Sequence, residues 1–464
     1  MSHAVHSSDA SALRPSACPG LLRIVPALDG GICRVKLAGG KLSASQALAI
    51  ADAIELHASG VVDITNRANL QLRGVRRGHE EALAAALLDA GLGPNDTAHA
   101  FADDVRNVMI SPTAGRDAHA AYDTRPLAAA LLALLQNDPR CAALSPKFAL
   151  LLDGGERLAM LDHPHDIWFA AMPSRDHAGM RFAFGLAGCP PVDAGHPPAC
   201  AAIDASGLAS FARALVHVFL DLAAPEHARM RDLLALHPAR SIVSHAERES
   251  GVRVLRGSHI EQWRREPGDA SRRLGAHLQR DGGRSHVGAQ PALGRMNSAT
   301  LRGLARLARD QAGDAAALRM TPWQSVLLTD IEAAAVDATL RGLEALGLAI
   351  SPRDPLTRVI ACAGSTGCAK SHADTKADAM ALAARVPAHT HVHLSGCPRS
   401  CAAAHRAPIT LLAIADRRYD LYHTHDPRDP NGFGSCVARG LTIDEAADRL
   451  TASAAPSFDE PFDA

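Results

Sequence analysis

Four cysteines in two tight pairs constrain this chain more than any other feature. The first pair closes the turn Cys362-Ala-Gly-Ser-Thr-Gly-Cys368, the second closes Cys397-Pro-Arg-Ser-Cys401, and a helix-length segment separates them. Thiolates at such spacing can converge on one soft metal centre, and four of them suit a 4Fe–4S cluster or an all-cysteine zinc site. Zinc ribbons prefer gaps of about two to four residues within a pair, so the longer first gap argues against zinc. Gly364, Gly367 and Gly396 let the backbone approach such a centre and aim N–H groups at its sulfurs. The alternative is four buried thiols with no metal. Placing all four in two Gly/Ser-rich turns makes the ligand reading the more specific one.

The other six cysteines (Cys18, Cys33, Cys141, Cys189, Cys200, Cys436) show no disulfide-framework spacing. Cys33, Cys141 and Cys436 read as buried packing residues. An exposed cluster needs reducing surroundings, so a cytoplasmic protein is expected. The net charge is −1 over 464 residues and only 3% are aromatic. There is thus neither a basic surface nor a set of stacking platforms, and nucleic acid is not expected as a partner. Met1 to Ser16 lacks the apolar core of a signal peptide. Apolar runs such as Leu127–Leu135 are far shorter than a membrane span.

Local patterns organise the rest. Gly31–Leu37 alternates as a strand, with Ile32, Arg34 and Lys36 on one face and Cys33, Val35 and Leu37 on the other. Gly39-Gly40 turns the chain, and Ser43-Ala-Ser-Gln46 predicts a capping box opening a helix to His57. Val61–Thr65 reads as another strand. If the chain then stays extended, Thr65, Arg67, Asn69, Gln71 and Arg73 share one face. That row of donors fits a polyanion and the solvated face of an edge strand equally well. A helix over 80–92 completes this unit. Asp104–Ile110 opens a second unit, with a helix over 126–136, a strand over Ala149–Leu152 and Asp153-Gly154-Gly155 as a hairpin turn. Leu158–Phe169 and Arg181–Leu186 continue its sheet, and helices follow over 207–222 and 226–236. Residues 250–285, rich in Arg, Gly and His, read as a linker or surface excursion.

The chain then repeats itself. Residues 293–328 echo 39–72, so that Thr65 answers to Thr321, Arg67 to Trp323 and Leu70 to Val326. Arg358–Cys362 echoes Arg106–Ile110, Asp374-Thr-Lys376 echoes Asp123-Thr-Arg125, and Leu394-Ser-Gly-Cys397 echoes Leu144-Ser-Pro146-Lys147. Two copies of a small α/β unit followed by a larger one are expected, in a pseudo-twofold arrangement with a site between the halves.

Several motifs in fixed order carry a family resemblance. Arg34-Val-Lys36-Leu-Ala-Gly39-Gly40, Thr65-Asn-Arg67 through Gln71, Arg106-Asn107-Val108, Lys147 and the two cysteine turns resemble the sulfite and nitrite reductase hemoprotein superfamily over residues 20–450. The resemblance implies an α+β fold of duplicated ferredoxin-like half-domains and two sulfite-reductase-like α/β domains. Their expected extents are 20–92 and 95–240 for the first copies, and 241–348 (with the linker) and 349–452 for the second copies. Residues 1–19 and 453–464 form the tails. It implies Cys362, Cys368, Cys397 and Cys401 as ligands of a 4Fe–4S cluster. Arg34, Arg106 and Lys147 would line the reaction face. Lys36, Thr65, Arg67, Asn69 and Gln71 would hold the carboxylates of a tetrapyrrole, where bidentate guanidinium–carboxylate pairing supplies the physical reason.

One position departs from the reductase pattern. Reductases have a second lysine two residues after the one matched by Lys147, and here that residue is Ala149. A six-electron anion reductase needs cationic proton donors around its substrate, so the loss weakens that reading. The runs Leu13-Arg-Pro-Ser-Ala-Cys18-Pro-Gly20 and Asp29-Gly30-Gly31-Ile32-Cys33 resemble the precorrin-3B synthase branch. That branch implies a monooxygenase of aerobic cobalamin biosynthesis. It hydroxylates precorrin-3A at C20 with O2, and the ring A acetate closes a γ-lactone. The alternatives are a sirohaem-dependent assimilatory sulfite or nitrite reductase, and a non-catalytic iron–sulfur scaffold or tetrapyrrole carrier. Oxygen chemistry leaves room for a mononuclear non-haem iron. His372, His391, His393 and His405 lie near the cysteine motifs but form no recognisable facial triad. No Gly-rich nucleotide fingerprint follows an expected strand, so NADH-derived electrons are expected through a separate ferredoxin or reductase.

Overall fold

The protein is described by a computed structural model covering residues 18–94, 97, 101–173, 179–313, 317–404, 407–424 and 432–454. The N-terminal motif residues Leu13–Ala17 and the candidate His405 lie outside the described residues. Two compact units form. One comprises the chain up to Val25 together with Leu92–Gly268, and the other comprises Pro26–Gly91 together with Asp269 onward.

The second of these holds both small half-domains. In the first half, β1 (Val25–Ala27), β2 (Gly30–Val35), β3 (Lys41–Ser43), β4 (Val61–Ile64) and β5 (Leu70–Val75) surround the helix Ala44–His57. The expected capping box is present: Ser43 Oγ accepts the Gln46 N–H at 3.1 Å, and Gln46 Oε1 accepts the Ser43 N–H at 3.1 Å. It satisfies two donors that a helix N-terminus otherwise leaves open.

Within Leu92–Gly268, β6 (Val108–Ile110), β7 (Leu150–Asp153), β8 (Ile167–Met172), β9 (Arg181–Leu186) and β10 (Ala201–Asp204) form one sheet. β6, β7 and β8 run parallel, and β9 and β10 return antiparallel. Parallel pairing of β7 with β8 excludes the expected hairpin at Asp153-Gly154-Gly155, which instead opens a crossover. Phe169, Phe182, Phe184 and Phe211 are fully buried at its centre. Truncating one of them to alanine would cost about 3–5 kcal/mol. The segment Ala205–Leu222 is long and apolar enough to cross a membrane by length and composition. Here eight residues of the helix Leu208–Leu222, from Leu208 to Phe219, are buried in this core.

The second half-domain contains β11 (Gly275–Leu278), β12 (Arg284–Ala289), β13 (Arg295–Asn297), β14 (Ala317–Met320) and β15 (Val326–Glu332) around the helix Ser298–Ala312. The two halves exchange their third strands. The first sheet has the order β1-β2-β5-β4-β13 and the second β11-β12-β15-β14-β3. Matching kinks precede the exchanged strands, with positive φ at Gly39 and Gly40 in one copy and at Leu293 and Gly294 in the other. The expected 250–285 excursion is more ordered than a linker, since it includes β11 and the buried Arg265 and Arg273. Finally β16 (Val359–Ala361), β17 (Val392–Ser395), β18 (Ile409–Ala415), β19 (Arg418–His423) and β20 (Ser435–Leu441) repeat the plan of the β6–β10 sheet, three strands parallel and two antiparallel. Cys33 and Cys141 are buried as expected, whereas Cys436 is half-buried on β20.

Candidate metal centre

Both cysteine turns follow the C-terminal ends of neighbouring parallel strands in one sheet. β16 ends at Ala361, immediately before Cys362, and its parallel neighbour β17 ends at Ser395, two residues before Cys397. The turns are bonded together: the Gly396 N–H donates to Cys362 Sγ at 3.3 Å, and the His372 N–H donates to Gly396 O at 2.9 Å. Thr375 Oγ1 lies 3.3 Å from Cys362 Sγ. Burial, followed by the neighbouring Cys397, Cys362 and Cys368 sulfurs, pushes the Cys401 thiol up. All four cysteines therefore share one neighbourhood. Four thiolates converging on one place suit the separate corners of a four-iron cluster. The donor set fits the cluster.

The glycines divide their work differently from expectation. Gly396 directs its N–H to a sulfur, and Gly364 adopts φ +74° in the first turn. The Gly367 N–H instead closes the turn onto Gly364 O at 3.2 Å, and its carbonyl accepts from Arg73 Nη2 at 2.9 Å.

The polar row after β4 is not one extended face. Thr65–Ala68 forms a turn, with Ala68 at φ +57°. The Thr65 hydroxyl accepts the N–H groups of Arg67 and Asn69 at 3.3 and 3.1 Å. Asn69 is buried and accepts the Leu37 N–H at 2.9 Å. Arg67 is half-buried on the turn, and Lys36 is buried beyond β2. Arg34 Nη2 donates to Gln71 Oε1 at 3.0 Å across β2 and β5. The turn reaches the cysteines through a residue the sequence reading passed over, because Asn66 Nδ2 donates to Cys401 O at 3.2 Å.

Arg73 is not a free donor either. It is 2% exposed and makes a bidentate pair with Asp29 at 2.7 and 2.8 Å. Asp63 lies 3.9 Å from Arg73 and is held by Arg295 at 2.7 and 2.9 Å. Burial alone would raise the Asp63 carboxyl, but Arg295, Lys376 and Arg73 hold it below its usual value. Burial pushes Lys376 down to about 8, and its ammonium donates to Leu293 O at 2.8 Å.

Arg106 and Lys147 belong to the other compact unit. Asn107 brings their segments together there, donating to Pro146 O at 2.9 Å. Arg106 donates to Leu92 O at 3.2 Å and lies 3.5 Å from Asp103, while burial lowers its pKa. Lys147 is exposed. Ala149 is 4% exposed, and its N–H donates to Asp166 Oδ2 at 2.9 Å. Of the described histidines near the cysteines, His372 and His391 are exposed and His393 is buried within β17.

Comparison with known proteins matches this architecture. The nitrite and sulphite reductase 4Fe-4S domain family matches residues 101–252, and the nitrite/sulfite reductase ferredoxin-like half domain family matches 26–90 and 277–346. A precorrin-3B synthase of Sinorhizobium sp is 27% identical over 92% of this chain and 88% of its own length. The chain belongs to the nitrite and sulphite reductase superfamily. Within it, the chloroplastic ferredoxin–nitrite reductase of Zea mays is 28% identical over 83% of this chain and 70% of its own length. The ferredoxin–nitrite reductase of Synechococcus elongatus is 29% identical over 83% and 77%. The solved structure of the Mycobacterium tuberculosis NirA protein shares the fold, with a TM-score of 0.72, 23% identity, and coverage of 90% of this chain and 79% of that one. These superfamily members are oxidoreductases, and the 4Fe-4S family supports an iron–sulfur cluster in this chain.

The superfamily's duplication also shows what replaced the cysteines in the other copy. Val108 pairs with Leu150 and Leu150 with Ile167, as Val359 pairs with Val392 and Val392 with Ile409. Ala121 N–H to Gly154 O matches His372 N–H to Gly396 O. By this register Cys362 answers to Ser111, Cys368 to Asp117, Cys397 to Gly155 and Cys401 to Ala159. The sequence echoes need correcting accordingly. Leu394 corresponds to Leu152, not Leu144, and Arg358–Cys362 aligns one residue later than expected. In the first copy, hydrogen bonds occupy the place of the cysteines: Ser111 Oγ donates to Leu158 O at 2.7 Å, and Asp117 accepts from Arg157 N–H at 2.9 Å.

Proposed function

We propose that the chain is a precorrin-3B synthase, hydroxylating precorrin-3A at C20 with O2 while the ring A acetate closes a γ-lactone. The observation that carries the choice is Ala149. A buried methyl group stands where a sirohaem reductase has its second lysine, so the cationic proton supply for anion reduction is reduced. The match over 88% of the Sinorhizobium enzyme supports the same reading. Cys362, Cys368, Cys397 and Cys401 would hold a 4Fe–4S cluster, which would supply electrons for O2 activation.

In this reading Arg67 and the Arg34–Gln71 pair grip the substrate carboxylates. Thr65 and Asn69 shape the turn that presents Arg67, and Lys36 adds positive charge behind β2. Arg106 and Lys147 serve the reaction face. The electron donor is a separate protein, a ferredoxin or an NADH-linked reductase. The second reading, a sirohaem-dependent nitrite or sulfite reductase, is favoured by the 28–29% identity to ferredoxin–nitrite reductases.

The test is the absorption spectrum of protein purified without oxygen, beside its iron and sulfide content. The proposal expects a broad iron–sulfur shoulder without macrocycle bands, and O2 consumption once precorrin-3A and a reduced electron donor are added together. Sharp tetrapyrrole bands that survive gel filtration would favour the sirohaem reductase. Binding of precorrin-3A without O2 consumption in the presence of a reduced electron donor would leave only a carrier.

A further inference from the structure

We propose that Arg73 and Asp29, on the half-domain that carries none of the paired cysteines, clamp the first cysteine turn and set how firmly the cluster is held. The inference rests on the reading of Cys362, Cys368, Cys397 and Cys401 as ligands. Arg73 lies on β5, and Asp29 precedes β2. The pair reaches 294 residues along the chain to bond the Gly367 carbonyl, one residue before Cys368. The guanidinium is oriented before it meets the turn, because Asp29 takes Nε and Nη2 bidentately and leaves Nη2 to donate a second bond to Gly367 O.

The turn is shaped to receive it. Gly367 does not adopt the left-handed backbone that would itself demand glycine. A Cβ there would instead run into Arg73 Nη2 and come within 3.2 Å of Asp29 Oδ2. The missing side chain is thus the seat for the guanidinium. Fixing this carbonyl fixes the peptide plane that leads into Cys368, and groups that orient a metal ligand commonly govern how strongly the metal is held. Arg73 is therefore a positioning residue, acting on the cluster through the backbone.

The full chain is purified without oxygen as wild type, Arg73→Lys, Gly367→Ala and the double variant, each checked for native far-UV dichroism. Three readouts are taken: iron and sulfide per chain, the electron paramagnetic resonance spectrum of the reduced cluster, and the rate of iron loss to a chelator. Each single variant is expected to lose iron about tenfold faster and to shift the resonance spectrum. The double variant should be no worse than the worse single one, because both break one contact. Wild-type spectra and rates in the single variants overturn the clamp, as do single effects that multiply in the double variant. If Arg73→Lys does not fold, Gly367→Ala leaves Arg73 and Asp29 themselves unchanged and decides alone. Cys401→Ser retaining a wild-type cluster signal is a separate result, which sinks the ligand reading rather than the clamp.

Discussion

Glu156 sits in surroundings that oppose its ordinary charge. It is fully buried, and burial, then the neighbouring Asp153, push its pKa up to about 8 from an ordinary 4.5. Arg265 is committed bidentately to Asp153 at 2.6 and 3.1 Å. Between pH 4.5 and 8 the unfolded chain loses this proton while the folded chain keeps it, so stability falls as pH rises through that window. Glu156→Gln should therefore melt at least about 2 °C above wild type at pH 8 and show no gain at pH 4.5, as followed by thermal dichroism. Among the proposed site residues, Cys401→Ser should abolish both the iron–sulfur absorption and turnover. Arg67→Ala should keep that absorption and weaken precorrin-3A binding about tenfold or more; normal binding would remove Arg67 from the grip. That the four cysteines come together was legible in the sequence, because two close pairs in Gly/Ser-rich turns are a compact signal. Arg73 was not, because its partners Asp29 and Gly367 are distant along the chain and ion pairing leaves no periodicity.

Among the elements, the exchanged strands β3 and β13 join the two halves. Gly40 stands at the entry to β3 with φ +69°, and a Cβ there would collide with the Met320 carbonyl on β14. Gly40→Ala should cost about 2 kcal/mol or more in denaturant unfolding. Gly78→Ala is the control: its φ is +84°, but nothing lies within 4 Å of the added carbon. Its cost should be limited to backbone strain, about 1 kcal/mol. Alternation and capping revealed β2, β4 and the helix Ala44–His57, since each buries a regular face or satisfies its own end. The exchange is not legible in the sequence because three-residue strands carry no usable period. The condition for a shared Thr65–Arg73 face, an extended chain, fails at Ala68, which enters the left-handed region that alanine seldom adopts and nothing in the sequence announces. Likewise Asp-Gly-Gly signals a turn equally before a hairpin and before a crossover.

On the scale of the whole molecule, one of two related sheets keeps the cysteines, and the other closes the same place with Ser111, Asp117 and their hydrogen bonds. Removing the cluster with a chelator should therefore raise amide hydrogen exchange across 359–404 and leave 108–159 unchanged. A parallel rise in both segments would show that the cluster supports more than its own copy. The duplication itself could be read from echoes such as Thr65 with Thr321, which follow equivalent strands, and Leu70 with Val326, which begin them. The register around the cysteines could not, because the connections between those strands differ in length between the copies. The strand exchange also sets a schedule for synthesis on the ribosome. β4 receives its outer neighbour only when Arg295, 232 residues after Asp63, has been made. At about 5–20 residues per second this leaves an unpaired sheet edge for on the order of tens of seconds. During that interval the nascent half-domain is a natural client for a chaperone.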